Sequence, residues 1–208
     1  MLLFICSQLL AAEPNKEIMV ASVNQESTGS VELGTDSLTS FELSGSYGLS
    51  ETLSVLVSYG YGGIQTGYEI PYRESAYEED YYYGGDVRSF ESSFAQHMLS
   101  VGARYRHSFN EWASMYGKAE GMIGLNTIKF APSIRDEDPI SSVSGMNLSF
   151  GGTAALGVMG SFQFSEKIPD IFLYFEGGYN LQSSISFDSL GDLDMSGGYS
   201  SFGCGLRF

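Results

Sequence analysis

Charge is scarce in this chain. Of its 208 residues only 17% are Asp, Glu, Lys or Arg, against about a quarter in an ordinary soluble domain, so something other than water is expected to cover part of the surface. Basic residues are scarcer still, with 10 Lys and Arg against 25 Asp and Glu and a formal net charge of −15. Phosphate backbones are bound by clustered cations, which removes nucleic acid as a partner and favours cations or basic surfaces. Long apolar runs are also missing: nothing approaches the roughly 18 consecutive residues of a spanning helix, so any membrane crossing has to be made by strands.

Cysteine is limited to Cys6 and Cys204. Leu2 to Leu10, followed by Ala11-Ala12, reads as the apolar region and small-residue cleavage site of a secretory signal, although the basic segment that usually precedes it is missing. Residues 1–12, or up to about residue 16, are therefore expected to be a residual signal peptide, and 17–208 a single domain. Cleavage would remove Cys6 and leave Cys204 without a partner, so no internal disulfide is expected.

What is present is hydrophobic (43%) and aromatic (14%) enough to build a core. It also alternates with period two, which sends successive side chains to opposite faces of a strand. Phe41, Leu43, Gly45, Tyr47 and Leu49 share one face, and Glu42, Ser44, Ser46 and Gly48 the other. After Ser50-Glu51-Thr52 the pattern resumes with Leu53, Val55, Val57, Tyr59 and Tyr61, which is a hairpin with a tight turn. Leu99, Val101, Ala103 and Tyr105 oppose Ser100, Gly102, Arg104 and Arg106. Met115, Ala119, Ile123 and Leu125 oppose Tyr116, Lys118, Glu120 and Asn126. Further strands carry Leu148 to Phe164, Ile171 to Tyr179, and Phe202, Cys204, Leu206 and Phe208.

Connections alternate in length. Short ones at 50–52, 109–111 and 165–169 are separated by long polar ones at 67–92, 129–144 and 184–194, as in transmembrane barrels with short periplasmic turns and longer extracellular loops. Seven strands are clear, at about 38–49, 53–66, 93–108, 112–127, 145–164, 170–183 and 195–208. An even number is required for a bacterial single-chain barrel, so the eighth is placed within Lys16 to Glu26, where the alternation is poor. The expected fold is all-β, an antiparallel up-and-down transmembrane β-barrel of eight strands.

Lipid, not a soluble core, is expected against the apolar face. The strands are roughly double the 5 to 6 residues usual in soluble proteins. The opposite face is mostly Gly and Ser with a few charges, which suits a narrow lumen filled by side chains. Between His97 and His107 the apolar stretch spans about 25 Å when tilted, the height of a lipid-facing band. Tyr47, Tyr59 and Tyr105 fall where aromatic rings meet headgroups.

Taken with these patterns, the terminal segment Gly197-Gly198-Tyr199-Ser200-Ser201-Phe202-Gly203-Cys204-Gly205-Leu206-Arg207-Phe208 resembles the OmpA-like and opacity-type family of outer-membrane barrel domains. Tyr47 to Val55 is similar to that family's first periplasmic hairpin. The resemblance covers nearly the whole mature chain. It implies that Phe202, Cys204, Leu206 and Phe208 act as the assembly signal read by the barrel-insertion machinery. It also implies an outer-membrane location among lipid and lipopolysaccharide, in a monomer with no cofactor.

Several groups are candidates for a functional role. Glu42, Arg104, Arg106, Lys118, Glu120 and Glu176 share the lumen parity and are expected to form an ion-pair network plugging the barrel, with Arg104 and Lys118 on neighbouring strands. In the first long loop Tyr72, Tyr77, Glu78, Glu79, Asp80, Tyr81, Tyr82 and Tyr83 combine rigid amphipathic rings with acid, the composition of a contact surface or of a membrane-rim loop. Asp136, Glu137, Asp138, Asp188, Asp192 and Asp194 offer hard oxygens to a divalent cation, but without EF-hand spacing they read first as solubilising charge. Catalysis is not expected: His97 and Ser100 have opposite parity, and His107 and Ser108 are adjacent and point apart. The expected role is structural or a surface interaction; a narrow channel or transporter of small or apolar molecules is the alternative.

Overall fold

A computed structural model describes residues 15–26, 28–29, 37–71, 87–134, 143–163, 168–187 and 191–208. Its long strands are β1 (Lys16–Glu26), β3 (Ser37–Gly48), β4 (Leu53–Pro71), β5 (Val87–Ser108), β6 (Ala113–Ile134), β7 (Val143–Phe162), β8 (Asp170–Gln182) and β11 (Gly197–Arg207). Each pairs antiparallel with its neighbour, and β1 pairs with β11 to close the ring. Closure puts Glu17 opposite Arg207 and Ser22 opposite Phe202. The three remaining strands, β2 (Thr28–Gly29), β9 (Ile185–Phe187) and β10 (Gly191–Asp194), form a separate small sheet.

The two tight turns described in full are held by side chains that replace missing backbone partners. Ser50 Oγ accepts the Leu53 N–H at 3.0 Å, and Asn110 Oδ1 accepts those of Trp112 and Ala113 at 3.1 and 2.7 Å. Such local acceptors are why Ser and Asn favour turns. Asn15, Phe208 and these turns lie at one end of the barrel, and the strand ends Glu26, Pro71, Val87, Ile134 and Val143 lie at the other.

The facing of each strand follows the alternation. Leu99, Val101, Leu173 and Phe175 are 54, 55, 43 and 53% exposed, whereas Arg104 and Glu120 are 3 and 7% exposed. A continuous ring of large apolar side chains therefore faces outward around the barrel. Tyr47 and Tyr105 border it near the tight turns, with Phe109 and Trp112 on the β5–β6 turn beyond them; Tyr59, Tyr61 and His97 border it on the other side. Water would not tolerate so large an apolar patch, but hydrocarbon requires one, and closure satisfies every ladder hydrogen bond that lipid cannot.

Two expectations need correction. Residues 67–92 and 129–144 are not loops throughout, because β4, β5, β6 and β7 run on in register as far as Pro71 opposite Val87 and Phe130 opposite Val143. From His97 to Val87 the ladder rises about 25 Å above the apolar band at ordinary strand rise and tilt. Backbone pairing does not stop where the lipid stops, so composition marked the band edge and not the strand end.

The lumen, secondly, holds more than Gly and Ser with sparse charge. Met19, Leu56, Tyr116, Met159, Phe172 and Tyr174 are buried inside it as an apolar layer. The inward glycines make room for these rings. A Cβ on Gly157 would fall within the Tyr116 ring, one on Gly203 within that of Tyr174, and one on Gly205 within that of Phe172. Each of these three glycines is thus the partner of an aromatic on the next strand.

Candidate functional site

The inward side chains stack in layers along the barrel axis. At the tight-turn end, Glu17 (β1) holds three guanidinium groups. Arg106 Nη1 donates to its Oε1 at 2.9 Å, Arg207 Nε to the same oxygen at 2.8 Å, and Arg104 Nη2 to Oε2. Glu17 is 2% exposed, and Ser46 Oγ also donates to Oε2 at 3.2 Å. The apolar layer adjoins this cluster: the Arg104 guanidinium lies 5.6 Å from the Tyr116 ring centroid and that of Arg207 lies 5.5 Å from the Phe172 centroid.

A second cluster has the inverse stoichiometry. Lys118 (β6) donates to Glu176 Oε1 at 2.7 Å and Glu120 Oε2 at 3.1 Å, with Glu42 Oε1 further off at 4.0 Å. Hydroxyls complete two of the carboxylates. Tyr116 and Tyr199 donate to Glu176 at 2.8 and 3.3 Å. Ser58 and Ser100 donate to Glu120 Oε1 at 3.1 and 3.2 Å. Among the described residues Glu42 receives only the Ser44 hydroxyl, at 2.8 Å.

Towards the long-loop end comes a layer of uncharged amides. Gln96 Nε2 donates to Asn126 Oδ1 at 2.8 Å, Asn126 Nδ2 to Ser149 Oγ at 2.8 Å, and Gln182 Nε2 also to Ser149 Oγ. Asn180 Nδ2 reaches the Met195 carbonyl at 3.2 Å, and Gln25 Nε2 donates to the same oxygen. The mouth is then closed by Leu38, Phe94, Ile128, Ile185, Leu193 and Met195, all nearly inaccessible. Ile185 and Leu193 come from the small β2–β10–β9 sheet, which brings residues far apart in sequence over the opening.

All six charges expected in the lumen face it, but they do not form one network. Arg104 and Lys118 are register partners on β5 and β6, yet their side chains turn to different clusters. Glu17 and Arg207 were missed. Arg207 was readable from its parity, opposite to that of Leu206 and Phe208. Glu17 was hidden because β1 carries apolar residues on both faces, with Ile18 and Val20 outward and Met19, Ala21 and Val23 inward.

Phe202, Cys204, Leu206 and Phe208 all project outward, with Cys204 a free thiol. His97 lies on the outer wall, its Nδ1 2.8 Å from the Tyr59 hydroxyl, while Ser100 faces the lumen, so these two do not meet. The candidate contact residues Tyr72 to Tyr83, like Asp136, Glu137, Asp138 and Asp188, lie outside the described residues. Asp194 spends its Oδ1 on the Ser196 N–H at 2.8 Å. Among the described residues no three His, Cys, Asp or Glu side chains converge as metal ligands.

A closed antiparallel barrel of eight strands with an apolar outer band and a filled lumen is a transmembrane β-barrel of the outer-membrane type. Solved structures share this architecture. Neisserial surface protein A aligns over 93% of this chain and 95% of its own at 14% identity, with a TM-score of 0.51. The attachment invasion locus protein Ail of Yersinia pestis aligns over 95 and 100% at 16% identity with a TM-score of 0.48. OprG of Pseudomonas aeruginosa aligns over 95 and 96% at 15% identity, also with a TM-score of 0.48. No protein-family model matches the chain, and no curated protein sequence matches it. The fold is that of the small outer-membrane barrels, as the OmpA-like resemblance implies.

Proposed function

We propose that this protein is a closed, monomeric outer-membrane barrel that serves the envelope as a structural element and as a platform for surface contact, not as a pore. The observation that supports this most is the stack of obstructions in the lumen: three arginines clamped on Glu17, an apolar aromatic layer, the Lys118 cluster and an apolar cap. A solute would have to break charge pairs already removed from water, where losing one partner strands the other. Planar-bilayer recording tests the reading. Only rare, small events are expected, and a large, stable wild-type conductance would establish the channel alternative.

Surface contact is assigned to the acidic, tyrosine-rich segment Tyr72 to Tyr83. It is supported by the β4–β5 ladder, which carries the ends of that segment well above the apolar band. Replacing the segment with a Gly-Ser linker is expected to abolish whole-cell adhesion while heat-modifiable gel migration stays normal. The outward zipper ending at Phe208 suits recognition by the barrel-insertion machinery, and deletion of Phe208 is expected to slow membrane assembly. Residues 1–12 fit a cleaved leader, which N-terminal sequencing of the mature protein checks.

A further inference from the structure

We propose that the lumen binds one alkali cation, Na+ or K+, in the chamber between the Lys118 cluster and the amide layer, with the Glu42 carboxylate as its charged ligand. The chamber is lined by Glu42, Lys118, Glu120, Thr153, Asn180 and Tyr199 together with apolar side chains such as Met98 and Met122, and offers about 40 Å³ to water-sized occupants. At roughly 10 to 15 Å³ per water centre, that is space for an ion with one or two waters.

Charge comes first. Three carboxylates surround one ammonium in this cluster, an excess of two negative charges when all are ionised. The compensating excess of two positive charges sits in the Glu17 cluster, with Met19, Phe172 and Tyr174 among the side chains of the intervening apolar layer. Lys118 is committed to Glu120 and Glu176. Glu42, at 4.0 Å, is the carboxylate left poorly matched, and it lines the chamber.

The second observation is independent of charge. Asn180 is 1% exposed, and its amide nitrogen is used by the Met195 carbonyl. Its Oδ1, on the opposite side of the amide, is buried with no hydrogen-bond partner among the described residues, as is the Thr153 hydroxyl. Both residues line the same chamber as Glu42. Buried acceptors without donors call for a hydrogen-bond donor or a cation, and beside a carboxylate that Lys118 reaches only at 4.0 Å a cation serves both needs.

The donor set selects the ion. Calcium takes six to eight oxygens with several carboxylates, and magnesium demands strict octahedral geometry. One free carboxylate with neutral amide and hydroxyl oxygens matches a hard monovalent ion instead. Three arginines guard the tight-turn end against cations, so the ion enters from the long-loop side as the cap opens.

The test uses the full chain refolded in phosphatidylcholine vesicles, whose zwitterionic headgroups add no net charge, with urea unfolding followed through Trp112. Rates are compared in NaCl, KCl and N-methyl-D-glucamine chloride at equal ionic strength. If the ion must leave before the barrel opens, unfolding slows saturably in one alkali salt, by about threefold at twice the dissociation constant. Glu42→Gln, nearly isosteric, is expected to erase that dependence, and Thr153→Val to weaken it. Equal rates in all three salts, or a dependence that persists unchanged in Glu42→Gln, would overturn the site and leave the chamber to water or a protonated carboxyl. The site rests on the closed lumen, and the two can fail separately: a conducting barrel refutes closure, while a saturable, Glu42-dependent alkali effect still supports the site.

Discussion

The two charged clusters of the lumen are inverse copies of one another. One places a single carboxylate, Glu17, among Arg104, Arg106 and Arg207; the other places a single ammonium, Lys118, among Glu42, Glu120 and Glu176. Together the four acids and four bases are neutral, yet neither cluster is neutral alone. Exposure is uneven within each. The side chains of Arg106 and Arg207 keep 14 and 17% of their surface and that of Glu42 keeps 20%, whereas Glu17 keeps 2% and Lys118 8%. The minority charge is the keystone in each, and burial decides how much its loss costs.

The comparison orders the expected effects. Lys118→Met should be the most damaging, at about 3–5 kcal/mol, because it strands the almost fully buried Glu120 and Glu176 carboxylates; urea unfolding in vesicles measures it. Adding Glu120→Gln and Glu176→Gln to that variant should restore most of the loss, a coupling that a mutant cycle reads directly. Glu17→Gln should cost less, about 2–3 kcal/mol, since water at the tight-turn end can solvate Arg106 and Arg207. An equal or larger loss than in Lys118→Met would break the comparison.

Tyr116→Phe removes one of two hydroxyls on Glu176 and should cost about 1–2 kcal/mol, by the same measurement. Glu42→Gln should be the mildest, under about 1 kcal/mol in an organic-cation salt, because it discards a charge that Lys118 barely offsets. Outside the lumen, Val101→Arg at the middle of the band is expected to cost about 2–4 kcal/mol. A negligible effect there would contradict the lipid-facing assignment.

Legibility in the sequence followed the severity of the environment. On the outer wall a polar side chain meets hydrocarbon, so Leu99, Val101, Leu173 and Phe175 had to be apolar, and their parity gave away the facing of their strands. Inside, the solvent is other side chains. Phe172, Tyr174 and Tyr116 are tolerated there wherever a glycine lies opposite, so apolar residues appear on both faces and alternation blurs. That is why β1, with Met19, Ala21 and Val23 inward, was the weakest strand to assign and why Glu17 escaped notice. The cap was illegible for a related reason. Ile185 and Leu193 stand in a polar connection and become buried only because β10 pairs with β2, more than 160 positions away in the chain.

By itself, then, the order of residues determined that this chain forms eight long strands, which side of most of them meets lipid, and where the tight turns fall. Those features depend on neighbours a few positions apart and on the solvent each face meets. Which charge pairs with which, where the unmatched carboxylate sits and what closes the mouth were decided by the tertiary structure. Closure of β1 on β11 and the stagger of the strands set the height of every inward side chain, and that height is a property of the ring, not of any single strand.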